Sequence, residues 1–186
     1  MPEILIFFAL IAVPLIWFVA NYNRFVRLRR HLEESWSNID VELKRRHDLI
    51  PNLVNTVKGY AAHEKDVLER LIQLRAEAMA ERRRGALARR EQAIEVGLAG
   101  VFAVAEAYPR LKADAHFLAL QKELALTEDR IAAARRFYNG NVRDLNNLCE
   151  QFPTSIIASM FGFATQEFFE LGDPAQRSAA RIEWAP

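Results

Sequence analysis

The chain has a single cysteine, Cys149, so it can close no internal disulfide and supplies no cysteine-based zinc cage. Glycine and proline number only seven each in 186 residues, too few for the many tight turns of a β-sandwich or barrel. Charge of one sign is missing too: 25 basic against 24 acidic residues leave a net charge of +1, and that balance does not point to a nucleic-acid partner. Catalytic motifs are equally scarce. There is no Walker-type phosphate loop and no G-x-S-x-G elbow, and His63-Glu64 is followed by Val67 where an H-E-x-x-H zinc helix needs its second histidine. The residues three places before His31, His47, His63 and His116 are Leu28, Lys44, Tyr60 and Ala113, so the Glu-x-x-His signature of di-iron bundles is lacking as well. These gaps lead us to expect no enzyme activity, no cofactor and no metal.

What is present favours helices. About half of the chain is hydrophobic, and Ala, Leu, Arg and Glu dominate. From Ile4 to Ala20 the chain carries no charge, which as a helix extends roughly 25 Å, or about 33 Å with its polar flanks, against a hydrocarbon core of about 30 Å. Pro14 interrupts the run, but lipid-embedded helices tolerate proline as a kink. The expected anchor side chains are Ile4, Leu5, Phe8, Ile11, Leu15, Trp17, Phe18 and Tyr22, with Trp17 and Tyr22 toward the interface, although Trp17 reads equally as apolar filling. A cleaved signal peptide would want a basic start and small residues before the cut. This chain starts Met-Pro-Glu and would place Phe18 at the third position back from a cut after Ala20. A buried core helix would show a polar stripe. Arg24, Arg27, Arg29 and Arg30 follow the apolar run, and by the positive-inside rule they hold the remaining chain in the cytoplasm.

Beyond the arginines, Phe25, Leu28, Leu32, Trp36, Ile39 and Leu43 recur at steps of three or four, the pattern of a helix burying one face. The pattern resumes after His47, so a first soluble helix is expected from near Asn23 to Met79, with a kink or short break at residues 47–51. There Pro51 lacks a donor and its ring crowds the carbonyl of His47, and Asp48 stands ready to cap a restart. Arg82, Arg83, Arg84, Gly85, Arg89 and Arg90 read as a solvated helix–helix connection, with polyanion or lipid contact as the rival reading. A shorter helix around residues 93–105 is stopped by Pro109 after Tyr108, and a long one runs from Ala115 to Glu150. The phenylalanines of residues 152–169 cap the bundle, meet another subunit or touch lipid, and residues 171–186 read as a flexible tail. Asp40 with Lys44, Glu42 with Arg46 and Lys44 with Asp48 stand at the spacing of helical surface ion pairs. Cys149 reads as a small buried hydrophobe.

The stretch from Trp36 to Glu64, WSNIDVELKRRHDLIPNLVNTVKGYAAHE, resembles the signature of the LemA family of bacterial membrane proteins. So do AEAYPRLK at residues 105–112, TEDRIAAARRFYN from Thr127, and Phe152-Pro153. Glu42, where the family often has Gln, and Leu145, where it often has Tyr, depart modestly. The motif residues are Trp36, Asp40, Lys44, Arg45, Arg46, Asp48, Pro51, Asn52, Lys58, Tyr60, Glu64, Arg130, Arg135, Tyr138, Asn139, Asn146 and Pro153. They form either a network that fixes helix register or a surface that a partner reads.

The expectation is therefore an all-α chain. Residues 1–22 form a transmembrane anchor, residues 23–170 an elongated antiparallel bundle of three to four helices, and residues 171–186 a tail. The resemblance implies an N-terminal transmembrane helix, an antiparallel bundle of long helices and no established reaction, and the expected location is the bacterial inner membrane with the C-terminal part cytoplasmic. The function expected is scaffolding or assembly at the bilayer, as a homo-oligomer. The alternative is a membrane-tethered accessory or sensor acting on a membrane-protein partner such as a protease or transporter.

Overall fold

The computed structural model describes residues 2–170, and every regular element among them is helical. In chain order these are α1 (Pro2–Tyr60), α2 (Lys65–Ala80), α3 (Arg84–Glu106), α4 (Pro109–Lys112), α5 (Ala115–Glu150) and α6 (Thr154–Phe161). The expected tail at 171–186 lies outside the described residues, as do the side chains of Ile4 and Leu5. Contacts divide the chain into two compact units. The first joins residues 2–40 of α1 to residues 133–168, and the second contains residues 41–132 with Phe169 and Glu170.

In the first unit, Phe25, Leu32 and Ile39 of α1 and Tyr138, Val142, Leu145 and Leu148 of α5 are buried at helical spacing. The two segments run antiparallel, since the His31 carbonyl accepts from Asn141 Nδ2 at 3.3 Å while Trp36 meets Tyr138 edge-on at 5.5 Å. At the end of α5 the Thr154 hydroxyl makes short contacts with the Leu148 and Gln151 carbonyls, which serve acceptors that a helix C-terminus leaves open. Gly162 closes α6 with φ of 68°, a left-handed position that costs little without a Cβ.

The second unit buries Leu43, Ile50, Leu53 and Val57 of α1, Leu68, Leu71 and Leu74 of α2, Ile94, Leu98 and Val101 of α3, and Phe117, Leu124 and Ile131 of α5. Helices α2 and α3 form a tight hairpin. A Cβ at Gly97 would come within 3.1 Å of Leu74 Cδ1 and 3.2 Å of Leu71 Cδ1, so the missing side chain is what permits this approach.

Three expectations are corrected. Helix α1 continues through Pro14, as read, and also through Pro51 without the break that was one of the two expectations there; the interruption falls instead at residues 61–64. There Ala61 N–H closes the helix on the Val57 carbonyl and Glu64 N–H turns back to the Ala61 carbonyl. Asp48, expected to cap a restart, is an exposed mid-helix residue. The arginine-rich connection shrinks to residues 81–83, because Arg84, Arg89 and Arg90 already belong to α3. Glu81 stabilises that turn by accepting the N–H groups of Arg82 and Arg83 at 3.0 and 2.9 Å, and Arg90 pairs with Glu77 at 2.5 Å. Finally, residues 154–161, for which no regular element was expected, form a helix. The long helix Ala115–Glu150 stands as read.

Among the described residues, no helix is long and apolar enough to cross a membrane. Four side chains of the uncharged N-terminal run, those of Ile4, Leu5, Ile6 and Ala9, lie outside the described residues.

Candidate functional site

The buried stripe of α1 in the second unit reads Leu43, Arg46, Ile50, Leu53, Val57, so a cation occupies a core position. The stripe of α3 reads Leu87, Glu91, Ile94, Leu98, Val101 and places an anion the same way. Both side chains have no exposure, and burial of either charge alone would cost several kcal/mol, about as much as the whole net stability of a small domain. They meet. Arg46 Nη2 donates to the Glu91 carboxylate and, at 3.3 Å, to the Glu91 carbonyl, while Nη1 donates to Glu128 Oε1 of α5 at 2.7 Å. His47 Nε2 lies 3.0 Å from the other Glu91 oxygen. Burial works against the Arg46 charge, but Glu128 and Glu91 outweigh it and hold the guanidinium pKa above its ordinary value. The helical pairing expected between Glu42 and Arg46 is thus replaced by ties to two other helices. Glu42 lies 3.7 Å from Arg45 instead.

The same site explains why Pro51 leaves α1 intact. A proline at position 51 cannot donate to the carbonyl four residues back, which belongs to His47. Arg75 of α2 fills the vacancy, its Nε donating to the His47 oxygen at 2.6 Å. One helix therefore supplies the acceptor and its neighbour the donor, and the continuity of α1 becomes a tertiary property.

Two further contacts tie the second unit. Tyr60 donates to Asp114 Oδ2 at 2.9 Å, and Asp114 Oδ1 accepts the Phe117 N–H at 2.9 Å as the N-cap of α5. The Phe117 amide and then the Tyr60 hydroxyl hold the Asp114 carboxyl below its usual range, while the hydrogen bond to Asp114 pushes the Tyr60 phenol up. Tyr108, next to the proline that opens α4, donates to Glu64 at 3.1 Å and is raised likewise. A groove of about 490 Å³ lies along α1 and α2, with Val54, Leu68 and Ile72 among its apolar walls and Lys58, Lys65 and Glu69 at its charged edges.

In the first unit the motif residues clamp the segment after α6. Asn146 holds Gln166 through both backbone groups, at 3.0 and 2.8 Å, and the Tyr138 hydroxyl donates to the Glu167 carbonyl at 3.3 Å. Phe163 stacks on Phe25 at 4.7 Å with Arg29 5.6 Å from its ring, and Phe161 packs on Tyr22 and Phe18 at 4.8 and 5.9 Å. Of the readings left open for these rings, internal capping describes Phe161 and Phe163.

The remaining motif residues scatter. Asp40, Lys44, Asp48, Asn52, Lys58, Arg130 and Pro153 are exposed, while Trp36, Arg45, Arg135 and Asn139 are half-buried. Phe8, Ile11, Leu15 and Trp17 are exposed, as are Arg24, Arg27, Arg29 and Arg30. Cys149 is only half-buried, which corrects its reading as a core residue, and burial followed by the Glu150 charge pushes its thiol up, away from the reactive thiolate. Among the described residues no three His, Cys, Asp or Glu side chains gather as a metal site would need.

Sequence reasoning missed Glu91, Glu128 and Arg75. Glu91 had a signal: it sits in step with the apolar residues of α3, but the helix was started at residue 93 and the glutamate fell outside it. Asp114 also had one, an Asp immediately before a helical apolar run. Arg75 had none, because only the fold brings it to His47.

The sequence pattern of the LemA family matches residues 35–184. Two magnetosome proteins of Paramagnetospirillum magneticum, MamQ 1 and MamQ 2, are each 25% identical over 176 residues, covering 81% of this chain and 65% of theirs. MamQ of Magnetospirillum gryphiswaldense is 24% identical over 175 residues, covering 80% and 64%. The chain thus spans just under two thirds of the length of these relatives.

Proposed function

Because this chain belongs to the LemA family, we propose that it is a non-catalytic, single-pass membrane protein. Its N-terminal run enters the inner membrane, and its helical units scaffold an assembly at the cytoplasmic face, as a homo-oligomer. The observation that carries the reading is the order of faces along one helix. In α1, the apolar side chains from Phe7 to Val19 are largely exposed, four exposed arginines follow, and the buried stripe begins at Phe25. Exposed apolar rings and branched chains in such number are unfavourable in water and favourable in lipid. The arginines then set the orientation. The consumption of Arg46, Glu91, Glu128 and His47 by one another supports a structural use of the buried charges. The relatives' name assigns them to a structure, the magnetosome, and names no reaction.

The test is fractionation of the full-length chain. It should remain with membranes through high-salt and alkaline washes, and Ile11→Lys with Leu15→Lys should release it. A reporter fused after Pro186 should be active only in the cytoplasm. An unaltered chain in the high-speed supernatant would overturn the anchor, and a monomer in lipid with no crosslinked neighbour would overturn the scaffold. A second reading, an accessory subunit that regulates another membrane protein, is favoured by the groove along α1 and α2, whose apolar walls and paired lysines suit an acidic amphipathic segment. It requires a stoichiometric foreign partner in crosslinked membranes.

A further inference from the structure

We propose that α6, with Phe152 just ahead of it, is a second lipid contact: an interfacial helix lying in the headgroup region beside the point where α1 enters the bilayer. The proposal rests on the anchor reading above. Three observations carry it. First, residues 151–166 contain no Asp, Glu, Lys, Arg or His, although charged residues make up 26% of the chain. A helix with one face in water would ordinarily carry charge on that face.

Second, the face that α6 leaves uncovered is apolar. Thr154, Ile157 and Ala158 turn inward, while Phe152 is 83%, Ile156 50%, Met160 65% and Phe161 46% exposed. Ile156 and Met160 are four residues apart and therefore share one side of the helix.

Third, ring contacts fix the depth of this face. Phe161 lies against Phe18 and Tyr22, in the last turns of the uncharged run, and Phe163 lies against Phe25 and Arg29. The end of α6 thus sits at the level of the interfacial tyrosine, on the apolar side of the arginines. Through the Phe18–Phe161 contact, its exposed face continues the exposed apolar surface of α1. An occupant at that depth meets Arg24, Arg27 and Arg30 at its polar edge, all exposed, which matches the anionic headgroups above an acyl layer.

The experiment uses the full-length chain with Cys149→Ser, reconstituted in vesicles of neutral and anionic phospholipid. Single cysteines at Val13, Glu34, Ile156 and Met160, all exposed positions, carry an environment-sensitive fluorophore. Quenchers are attached to the acyl chains at a shallow or a deep position. Labels at 156 and 160 should lose emission more to the shallow quencher, the label at 13 more to the deep one, and the label at 34 to neither. If 13 is quenched while 156 and 160 are not, α6 does not touch lipid and the inference falls with the anchor intact. If 156 and 160 are instead shielded from lipid by a second copy, their blue-shifted emission will revert on dilution into excess lipid, which also overturns it. Silence at 13 as well as at 156 and 160 overturns the anchor and the inference together. Quenching at 156 and 160 without quenching at 13 overturns the anchor and, with it, the placement of α6 beside an entry point of α1.

Discussion

The two units differ in whether they bury charge. In the second, Arg46, Glu91 and His47 are buried as charged or titratable groups and paired across helices, beside Thr127, whose hydroxyl serves the nearby Glu123 carbonyl. In the first, the hydroxyls of buried Ser35 and Thr154 serve nearby carbonyls, and the contacts that join distant segments are rings, the Asn141–His31 hydrogen bond and a backbone clamp. A buried charge tolerates few geometries because an unpaired ion is so costly, whereas ring contacts are shallower and less directional. The comparison teaches where this chain should be brittle and where it should be forgiving.

The largest expected effect follows from the charges. Arg46→Ala should destabilise by about 3–5 kcal/mol by leaving the buried Glu91 without its guanidinium partner, read as a fall in the denaturant midpoint at constant slope. Joint replacement of Arg46 and Glu91 by Met should recover much of that loss, since well-packed apolar pairs substitute for buried ion pairs. A double variant as unstable as the single one would show that the cluster contributes more than paired burial.

Next comes the Pro51 site. Arg75→Ala should cost about 1–3 kcal/mol by orphaning the His47 carbonyl. Pro51→Ala in that background should restore part of it, because the new N–H reaches the same carbonyl. Strict additivity of the two changes would refute this account of how α1 passes through its proline.

In the first unit, the coupling of Phe25 with Phe163 in a double-mutant cycle should be about 0.5–1.5 kcal/mol beyond lost burial. A coupling as large as that of Arg46 with Glu91 would erase the contrast between the units.

The smallest effect concerns pH. Asp114 is held below its unfolded value of 3.8, so the stability that it adds is present above that value and is lost as the pH falls through the folded one. Tyr60 is held above 10.0, so its share is present below that value and is lost as the pH rises beyond it. Asp114→Asn should flatten the acid limb of a Tm–pH curve and leave the alkaline limb less steep. An unchanged acid limb would show that the cap does not report on folding.

How much was legible varied with the kind of interaction. The span Ala115–Glu150 could be read because one apolar stripe runs through it and Pro153 follows. The break in the first helix was misplaced because the proline penalty was judged locally, while Arg75, distant in sequence, removes it. Helix α6 was missed because eight residues offer too little periodicity to separate a helix from an apolar tail. Of the candidate site, Arg46, Tyr60, Glu64, Tyr138 and Asn146 were named as motif residues, but their partners were not.

By itself, the sequence determined that this chain is helical, since apolar residues at steps of three and four can be buried together only on a helix. It also determined that a long uncharged run precedes four arginines. Only the tertiary structure decided which charge answers Arg46, what satisfies the carbonyl opposite Pro51, and where the aromatic segment after α5 comes to rest. Each of those depends on groups supplied by separate helices, and helical spacing sets which way a side chain faces without setting what it meets.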